Sequence, residues 1–208
     1  MNSTQLIVVK IGTQNIMKVY EDGKLLKTID NVWIGKDGAI EIEAKHEGDG
    51  KTPLGLFDLG VAFGTHNLNI DYPYIKIQDN DYWVDDSASP YYNQLVRVGE
   101  DIPPFNYPYI TSLKSKNFNS AEHLKGYEKQ YEYAVFIEFN SHQTSNGTIE
   151  PSKGSAIFLH CHGDGGYTSG CIAISKEDME YIMNYLNRNG KPKIKIKKNK
   201  VITNNLFF

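Results

Sequence analysis

The stretch SAIFLHCHGDGGYTSGCIAIS, residues 155–175, decides the fold because it joins two strand-like runs through a glycine-rich loop. SAIFLH predicts a buried strand, and IAIS at its end predicts a second short one. Elsewhere, short apolar runs alternate with turn signals, such as the Asp-Gly pair at residues 22–23. In YEYAVFIEF (131–139), alternate residues share one face. Many short strands at close spacing predict a mainly β sandwich or barrel.

Helices are expected at two places. The first begins after Ser175, where Asp178 stands three residues on as in a capping box. An apolar stripe at helical spacing follows, and Gly190 is expected at the C′ position. The stripe consists of Met179, Ile182, Met183 and Leu186. A shorter helix is predicted from Ser120 to Lys129.

Length and composition bound the class of protein. The 208 residues suit one hydrophobic core, so we predict a single domain over residues 1–208. A net charge of −3 predicts no general attraction to nucleic acid. No apolar run approaches the roughly 18 residues of a membrane span, and the first one is too short for a signal peptide. The chain is therefore expected to be cytoplasmic, or to have lost a signal.

A local excess of lysine marks the C-terminal region. KPKIKIKKNK (191–200) contains six lysines, and Ile194 and Ile196 alternate with them as in a strand. Lysines on one face commonly protect an edge strand from aggregation, which is the interpretation we favour. A docking stripe for an anionic polymer is the alternative.

The loop HCHGDGGYTSGC (160–171) admits metal chemistry. In an extended strand His160 and His162 face the same way, so they could bind zinc with Cys171 or Asp164 as third ligand. The chain has no second His-x-His, no His-Glu-x-x-His and no paired Cys-x-x-Cys to strengthen this hypothesis.

Two further interpretations use the cysteines, both of which lie in this loop. Cys161 and Cys171 could form a disulfide if the geometry allows. Alternatively, Cys171 is a nucleophile and His160 is its base, brought together by the turn of the loop. Gly170 would then let the backbone turn so that amides point at a developing oxyanion.

A second glycine-rich stretch, EGDGKTPLG (47–55), contains the Gly-Lys-Thr of a phosphate-binding loop. That motif requires a glycine five positions before Gly50, where this chain has Lys45. Pro53 also fits a turn better than a helix interior. A nucleotide-binding role is excluded.

EGDGKTPLGLFDLGVAFG (47–64), followed by GSAIFLH, SGC and a capped helix, resembles the L,D-transpeptidase (YkuD-like) family. The likeness runs from about Glu47 to Ile196. It implies a β-sandwich of mixed sheets with one or two short helices. It also implies that a cysteine takes up the acyl group of a peptidoglycan stem peptide and releases D-alanine. An amine of a neighbouring stem then receives the acyl group in a 3→3 cross-link. No metal or organic cofactor is implied.

Carried onto this sequence, the resemblance assigns Cys171 as nucleophile and His160 as base. The carbonyl of Cys161 would orient the imidazole. Amides of Ser169, Gly170 and Cys171 would form the oxyanion hole.

The chain departs from well-known members at two positions. They carry Ser-His-Gly-Cys where residues 168–171 read TSGC, and often Arg or Asn where Ala173 stands. We regard His162, Tyr167 and Thr168 as candidates for binding substrate.

The resemblance predicts peptidoglycan stem peptides as partners, a monomer, and an extracytoplasmic location at the cell wall, with a cytoplasmic location as alternative. Three other functions stay open. The same site could use water as acceptor, giving an L,D-carboxypeptidase. His160, His162 and Cys171 could form a metal-dependent hydrolase. The chain could also be a non-enzymatic wall-binding module.

Overall fold

The computed structural model describes residues 4–99, 110–142 and 147–199, so parts of the predicted domain 1–208 lie outside the described residues. It is mainly β, with 39% strand and 13% helical residues. The strands are β1 (Gln5–Ile11), β2 (Ile16–Glu21), β3 (Lys24–Ile29), β4 (Ala39–Ile40), β5 (Thr52–Pro53), β6 (Gly55–Gly64), β7 (Tyr74–Lys76), β8 (Asp81–Val84), β9 (Leu95–Val98), β10 (Thr111–Leu113), β11 (Ala121–His123), β12 (Tyr133–Ile137), β13 (Phe158–Cys161), β14 (Ile172–Ile174) and β15 (Lys193–Lys198). The α-helix α1 is Lys176–Tyr185.

Most strands form one large sheet, in the order β14-β13-β12-β6-β15-β1-β2-β3, with β7 also paired to β6. A second sheet has the order β10-β9-β8-β11, and β4 pairs with β5. Parallel pairs, such as β1 with β15 and β13 with β14, occur beside antiparallel ones. The predicted mixed sheets are therefore confirmed. The Asp22-Gly23 hairpin turn is also confirmed, with φ of 49° and 77° between β2 and β3.

Strand β12 crosses the centre of the molecule, and all five of its residues are buried. Val135 and Ile137 face one apolar cluster, whereas Ala134 and Phe136 face another. Each cluster covers one face of the strand, so the large sheet is packed on both sides here. The second cluster also contains Phe158 and Cys171, which places the loop cysteine against the core.

Helix α1 follows its sequence signals at the N-terminus but not at the C-terminus. The hydroxyl of Ser175 accepts a hydrogen bond from the Asp178 amide at 3.1 Å, and the predicted apolar stripe is buried. The helix ends at an extended Leu186, so the expectation that Gly190 is the C′ residue is wrong. A Cβ at Gly190 would lie 2.7 Å from the Gln5 side chain, which explains a glycine there by packing. In the described residues no helix has the length and apolarity that crossing a bilayer requires.

Two other local predictions are wrong. Residues 120–129 form strand β11 and a 3-10 turn, Leu124–Tyr127, because pairing of β11 with β8 overrides the local helical preference. The lysine strand β15 is not at an edge, because it pairs with β1 on one side and β6 on the other. Its alternation is as predicted: Ile194 and Ile196 are buried, and the lysines project outward. Side-chain period reports which faces of a strand are buried, not which strands flank it.

Candidate active site

The loop between β13 and β14 carries the predicted reactive residues. The two strands pair in parallel, with His160 opposite Ala173, so the chain returns beside itself before β14 begins. A neighbouring segment holds the loop: the Thr168 amide donates to the Ile34 carbonyl at 3.0 Å, and the Lys36 amide donates to the Thr168 carbonyl at 2.9 Å. His160 and Cys171 both line one surface cleft.

Cys171 lies at the bottom of this cleft and is 8% exposed. Its thiol lies 3.1 Å from the Ala156 carbonyl, to which it can donate, and 3.4 Å from the Phe158 amide, which donates to the sulfur. Burial, followed by the charge of Glu122, raises the pKa of Cys171 to about 12. The resting sulfur is therefore a neutral thiol at physiological pH, and a nucleophilic role requires a base.

His160 is buried, and its Nδ1 lies 2.7 Å from the carbonyl oxygen of Cys161. Because a carbonyl only accepts, Nδ1 carries the proton and Nε2 keeps a lone pair. Burial lowers the pKa of His160 to about 4, so the ring is neutral at physiological pH. The ring of Tyr131 packs edge-on against it, with 5.6 Å between centroids. The cleft thus combines a neutral thiol with an imidazole that can accept a proton.

Thr168 organises the loop that carries Cys171. Its hydroxyl accepts from the Gly170 amide at 3.1 Å and donates to the Cys171 carbonyl at 2.7 Å. The residue is 8% exposed and lines the cleft, so these hydrogen bonds give Thr168 a structural role beside the substrate contact predicted for it. Because the Gly170 amide is already bonded to Thr168, the amides of Ser169 and Cys171 remain the better candidates for an oxyanion hole.

The glycine-rich stretch 47–55 packs against the same loop and stabilises it through hydrogen bonds. The Thr52 hydroxyl donates to the Cys171 carbonyl at 3.3 Å and accepts from the Gly35 amide at 2.9 Å. Asp49 accepts from the buried Lys45 ammonium at 2.8 Å, which closes the turn that presents Thr52. The motif that resembles a phosphate loop therefore supports the loop that carries Cys171.

The side chains proposed as zinc ligands do not come together in the structure. His162 Nε2 lies 3.0 Å from the Asn31 carbonyl, so it carries a proton. Its ring stacks on the cleft residue Trp33, but His162 does not itself line the cleft. Asp164 is exposed and pairs with Lys129. Across residues 4–99, 110–142 and 147–199, no three His, Cys, Asp or Glu side chains form a metal-binding group.

The disulfide hypothesis is wrong as well. Cys161 and Cys171 are both free and belong to different apolar clusters. They therefore lie against opposite faces of the core. The predicted Tyr167 is 59% exposed and lines the cleft, and the exposed Ser169 lines it too.

Five cleft residues outside the 160–171 loop were missed by the sequence analysis: Trp33, Glu122, Tyr127, Gln130 and Tyr131. They come from segments far from the reactive loop, and no motif surrounds them. Glu122 in particular lies in a segment predicted to be helical, so only the pairing of β11 with β8 brings it to the cleft.

The sequence model of the YkuD family, described as an L,D-transpeptidase catalytic domain, matches residues 4–201. The chain belongs to this family. Solved structures similar to it include the following two. A mutant of the helical cell shape determining protein Pgp2 from Campylobacter jejuni is 16% identical with a TM-score of 0.46, and the match covers 96% of this chain and 49% of that one. Mycobacterium tuberculosis L,D-transpeptidase 1 is 15% identical with a TM-score of 0.39, covering 94% and 62%. The chain thus spans about half of the first protein's length and less than two thirds of the second's. No curated protein matches the chain.

Gly170 tests how this L,D-transpeptidase-family chain positions its cysteine. Its φ is 146°, and a Cβ there would lie 3.1 Å from the Lys51 carbonyl oxygen. We expect the added methyl group of Gly170→Ala to push the loop away from the Lys51 carbonyl in the stretch 47–55. Turnover should fall by about 10- to 100-fold, because displacing a reacting group by about 1 Å lowers the rate by up to about this factor. Steady-state kinetics on a stem peptide would measure it.

Gly166→Ala is the matched control. Its φ of 76° is also positive, but no described atom lies within 4 Å of the added Cβ. Both variants therefore acquire backbone strain, and only Gly170→Ala acquires a close contact with the Lys51 carbonyl. Equal activity of the two variants would contradict the positioning role of Gly170.

Proposed function

We propose that this protein is a peptidoglycan L,D-transpeptidase in which Cys171 is the nucleophile and His160 is the general base. The observation that carries the proposal is the presence of a neutral thiol and a neutral, Nδ1-anchored imidazole in one cleft of a YkuD-family domain. The resting forms suit base-assisted attack better than a preformed thiolate, because burial disfavours both charged species.

Acylation then begins with proton transfer from the Cys171 sulfur to Nε2 of His160 as the sulfur attacks the scissile carbonyl carbon. The amides of Ser169 and Cys171 are proposed to stabilise the oxyanion. The imidazolium is stabilised by its hydrogen bond to the Cys161 carbonyl. It returns the proton to the amine of D-alanine as the carbon–nitrogen bond breaks, which leaves a thioester on Cys171.

In the second half of the reaction, His160 takes a proton from the side-chain amine of a neighbouring stem as that amine attacks the thioester. The C–S bond breaks, a new amide forms, and the thiol regains its proton. If water attacks instead, the product is a shortened stem, which is the L,D-carboxypeptidase reaction. Tyr167 is proposed to contact the substrate, since it is an exposed aromatic at the cleft.

The proposed substrate places the activity at the cell wall, outside the cytoplasm. The proposal treats the chain as one catalytic domain that acts as a monomer. Its partners are stem peptides, and neither nucleic acid nor a bound cofactor has a part in it.

Incubation with a tetrapeptide stem ending in D-alanine tests the function. We expect release of D-alanine, and a cross-linked dimer when a stem with a free side-chain amine is added. Release without dimer would identify the carboxypeptidase. A chelator should leave the rate unchanged, and loss of activity together with one bound zinc per chain would identify a metal hydrolase. No release from any L,D-linked stem, with binding to intact wall retained, would identify a binding module.

A further inference from the structure

Glu122 places a carboxylate in the cleft that holds Cys171 and His160. It lies on β11, an edge strand of the second sheet, opposite Trp83 of β8. The Tyr131 hydroxyl donates a hydrogen bond to Glu122, and the Tyr131 ring packs edge-on against His160. Tyr131 therefore lies between the Glu122 carboxylate and the proposed base, and the four-stranded second sheet contributes Glu122 to the cleft.

The side chains that most affect the pKa of Glu122 are Tyr131, Asp85 and Glu47, and none of them is a cation. Burial, helped by the charges of Asp85 and Glu47 and opposed by the Tyr131 hydrogen bond, raises the pKa of Glu122 to about 7. Oδ1 of Asp85 is itself buried and has no hydrogen-bond partner among the described residues. Of these acids only Glu122 lines the cleft, and its surroundings favour a ligand there that carries positive charge and hydrogen-bond donors.

Glu122 is also coupled to the nucleophile. Its negative charge raises the pKa of Cys171, second only to burial, whereas Lys45 lowers it. Lys45 is already paired with Asp49, so it offsets this effect only in part. A thiolate on Cys171 is therefore opposed by the ionised carboxylate while the cleft is empty. A cation bound to Glu122 would remove that opposition.

We propose that Glu122 binds the side-chain ammonium group of a stem peptide, and that this contact removes the repulsion between its carboxylate and the negative charge developing on Cys171. The identity of the ligand rests on the proposed function. Glu122 is thus a specificity-determining residue, and the nucleophile becomes fully reactive only when an amine-bearing substrate occupies the cleft. In the empty enzyme the same carboxylate suppresses reaction of the thiol with other electrophiles.

The coupling is tested without substrate, by the rate at which iodoacetamide alkylates Cys171 between pH 6 and pH 9. Below about pH 6 the Glu122 carboxyl is protonated, so wild type and Glu122→Gln should react alike. Above about pH 8 the wild-type carboxylate is charged, so Glu122→Gln should react about three- to tenfold faster, since each pKa unit is tenfold in thiolate. Gln keeps an oxygen that can accept from Tyr131, which preserves the local packing.

Glu128→Gln is the matched control, because Glu128 is an exposed carboxylate paired with Lys125 outside the cleft. It should react like wild type throughout. Superimposed rates of wild type and Glu122→Gln at pH 8–9, or an equal acceleration in Glu128→Gln, would overturn the coupling.

Recognition of the amine is tested by calorimetry in a Cys171→Ala background, where no turnover occurs. We expect a tetrapeptide stem with a free side-chain amine to bind about 10- to 100-fold more tightly than its N-acetylated twin, as a charge-assisted hydrogen bond allows. Adding Glu122→Gln should reduce this preference to less than about threefold. A preference that survives Glu122→Gln overturns the assignment. Binding that depends on Glu122, without turnover by wild type, would support the subsite and refute the transpeptidase reaction.

Discussion

Replacing Cys171 with alanine should reduce D-alanine release from a tetrapeptide stem by at least about 10⁴-fold, because the only group proposed to form the acyl intermediate is lost. Iodoacetamide should also cease to label the cleft. The thiol pKa values alone would not predict this selectivity, since burial raises the pKa of Cys161 to about 11 and that of Cys171 to about 12. Access decides it, because Cys171 lines the cleft and Cys161 faces the closed core.

Cys161→Ala provides the matched control for this substitution. The proposed role of Cys161 belongs to its backbone carbonyl, which alanine retains. Turnover should stay within about threefold of wild type, with a loss of about 1 kcal/mol in the free energy of unfolding from the vacated core volume. Peptide mapping that finds the adduct on Cys161 alone would contradict the assignment of the nucleophile.

Replacing His160 with glutamine should lower kcat/KM by about 10²- to 10⁴-fold, the usual contribution of a general base. The pH dependence gives a second readout. Burial lowers the pKa of His160 to about 4, so the imidazole is neutral and competent above that pH. At saturating substrate, where the bound ammonium keeps Glu122 charged, kcat should therefore persist well below pH 6.5 and fall as pH drops through about 4, where the ring gains a proton. This acid limb should disappear in His160→Gln.

His162→Gln is the comparison for His160→Gln. It loses a hydrogen bond to the Asn31 carbonyl and a stacking contact with the cleft residue Trp33, although His162 itself does not line the cleft. We expect less than about a tenfold loss, since a hydrogen bond of this kind contributes about 1 kcal/mol. A loss as deep as that of His160→Gln would mean that His162 is the base.

The parts of this fold that depend on local sequence patterns could be predicted from the sequence. The alternation of faces in β12, the Asp22-Gly23 turn and the Ser175 cap are each short-range signals, and the structure contains all three. The reactive loop was also visible, because both cysteines and two histidines occur within twelve residues. Motif resemblance then linked this loop to the distant stretch 47–55.

Pairing between distant segments could not be predicted. Alternation in β15 does not reveal that β1 and β6 flank it, and nothing near Ala121–His123 indicates that β8 will pair there. The pairing of β11 with β8 places Glu122 in the cleft, so sequence patterns alone do not identify Glu122 as a site residue. Thr168 shows the converse: its place in the loop was known, but its buried hydrogen bonds follow from a conformation that the sequence alone did not specify.

The central claim is that Cys171 carries the acyl group, and trapping of the intermediate tests it most directly. The protein would be mixed with a tetrapeptide stem ending in D-alanine, quenched in acid within seconds, and measured by intact mass spectrometry followed by peptide mapping. The account predicts a transient mass increase equal to the stem minus D-alanine, located on Cys171 and absent from Cys171→Ala. Release of D-alanine at the wild-type rate, with no adduct at any quench time or with an adduct that persists in Cys171→Ala, would contradict it.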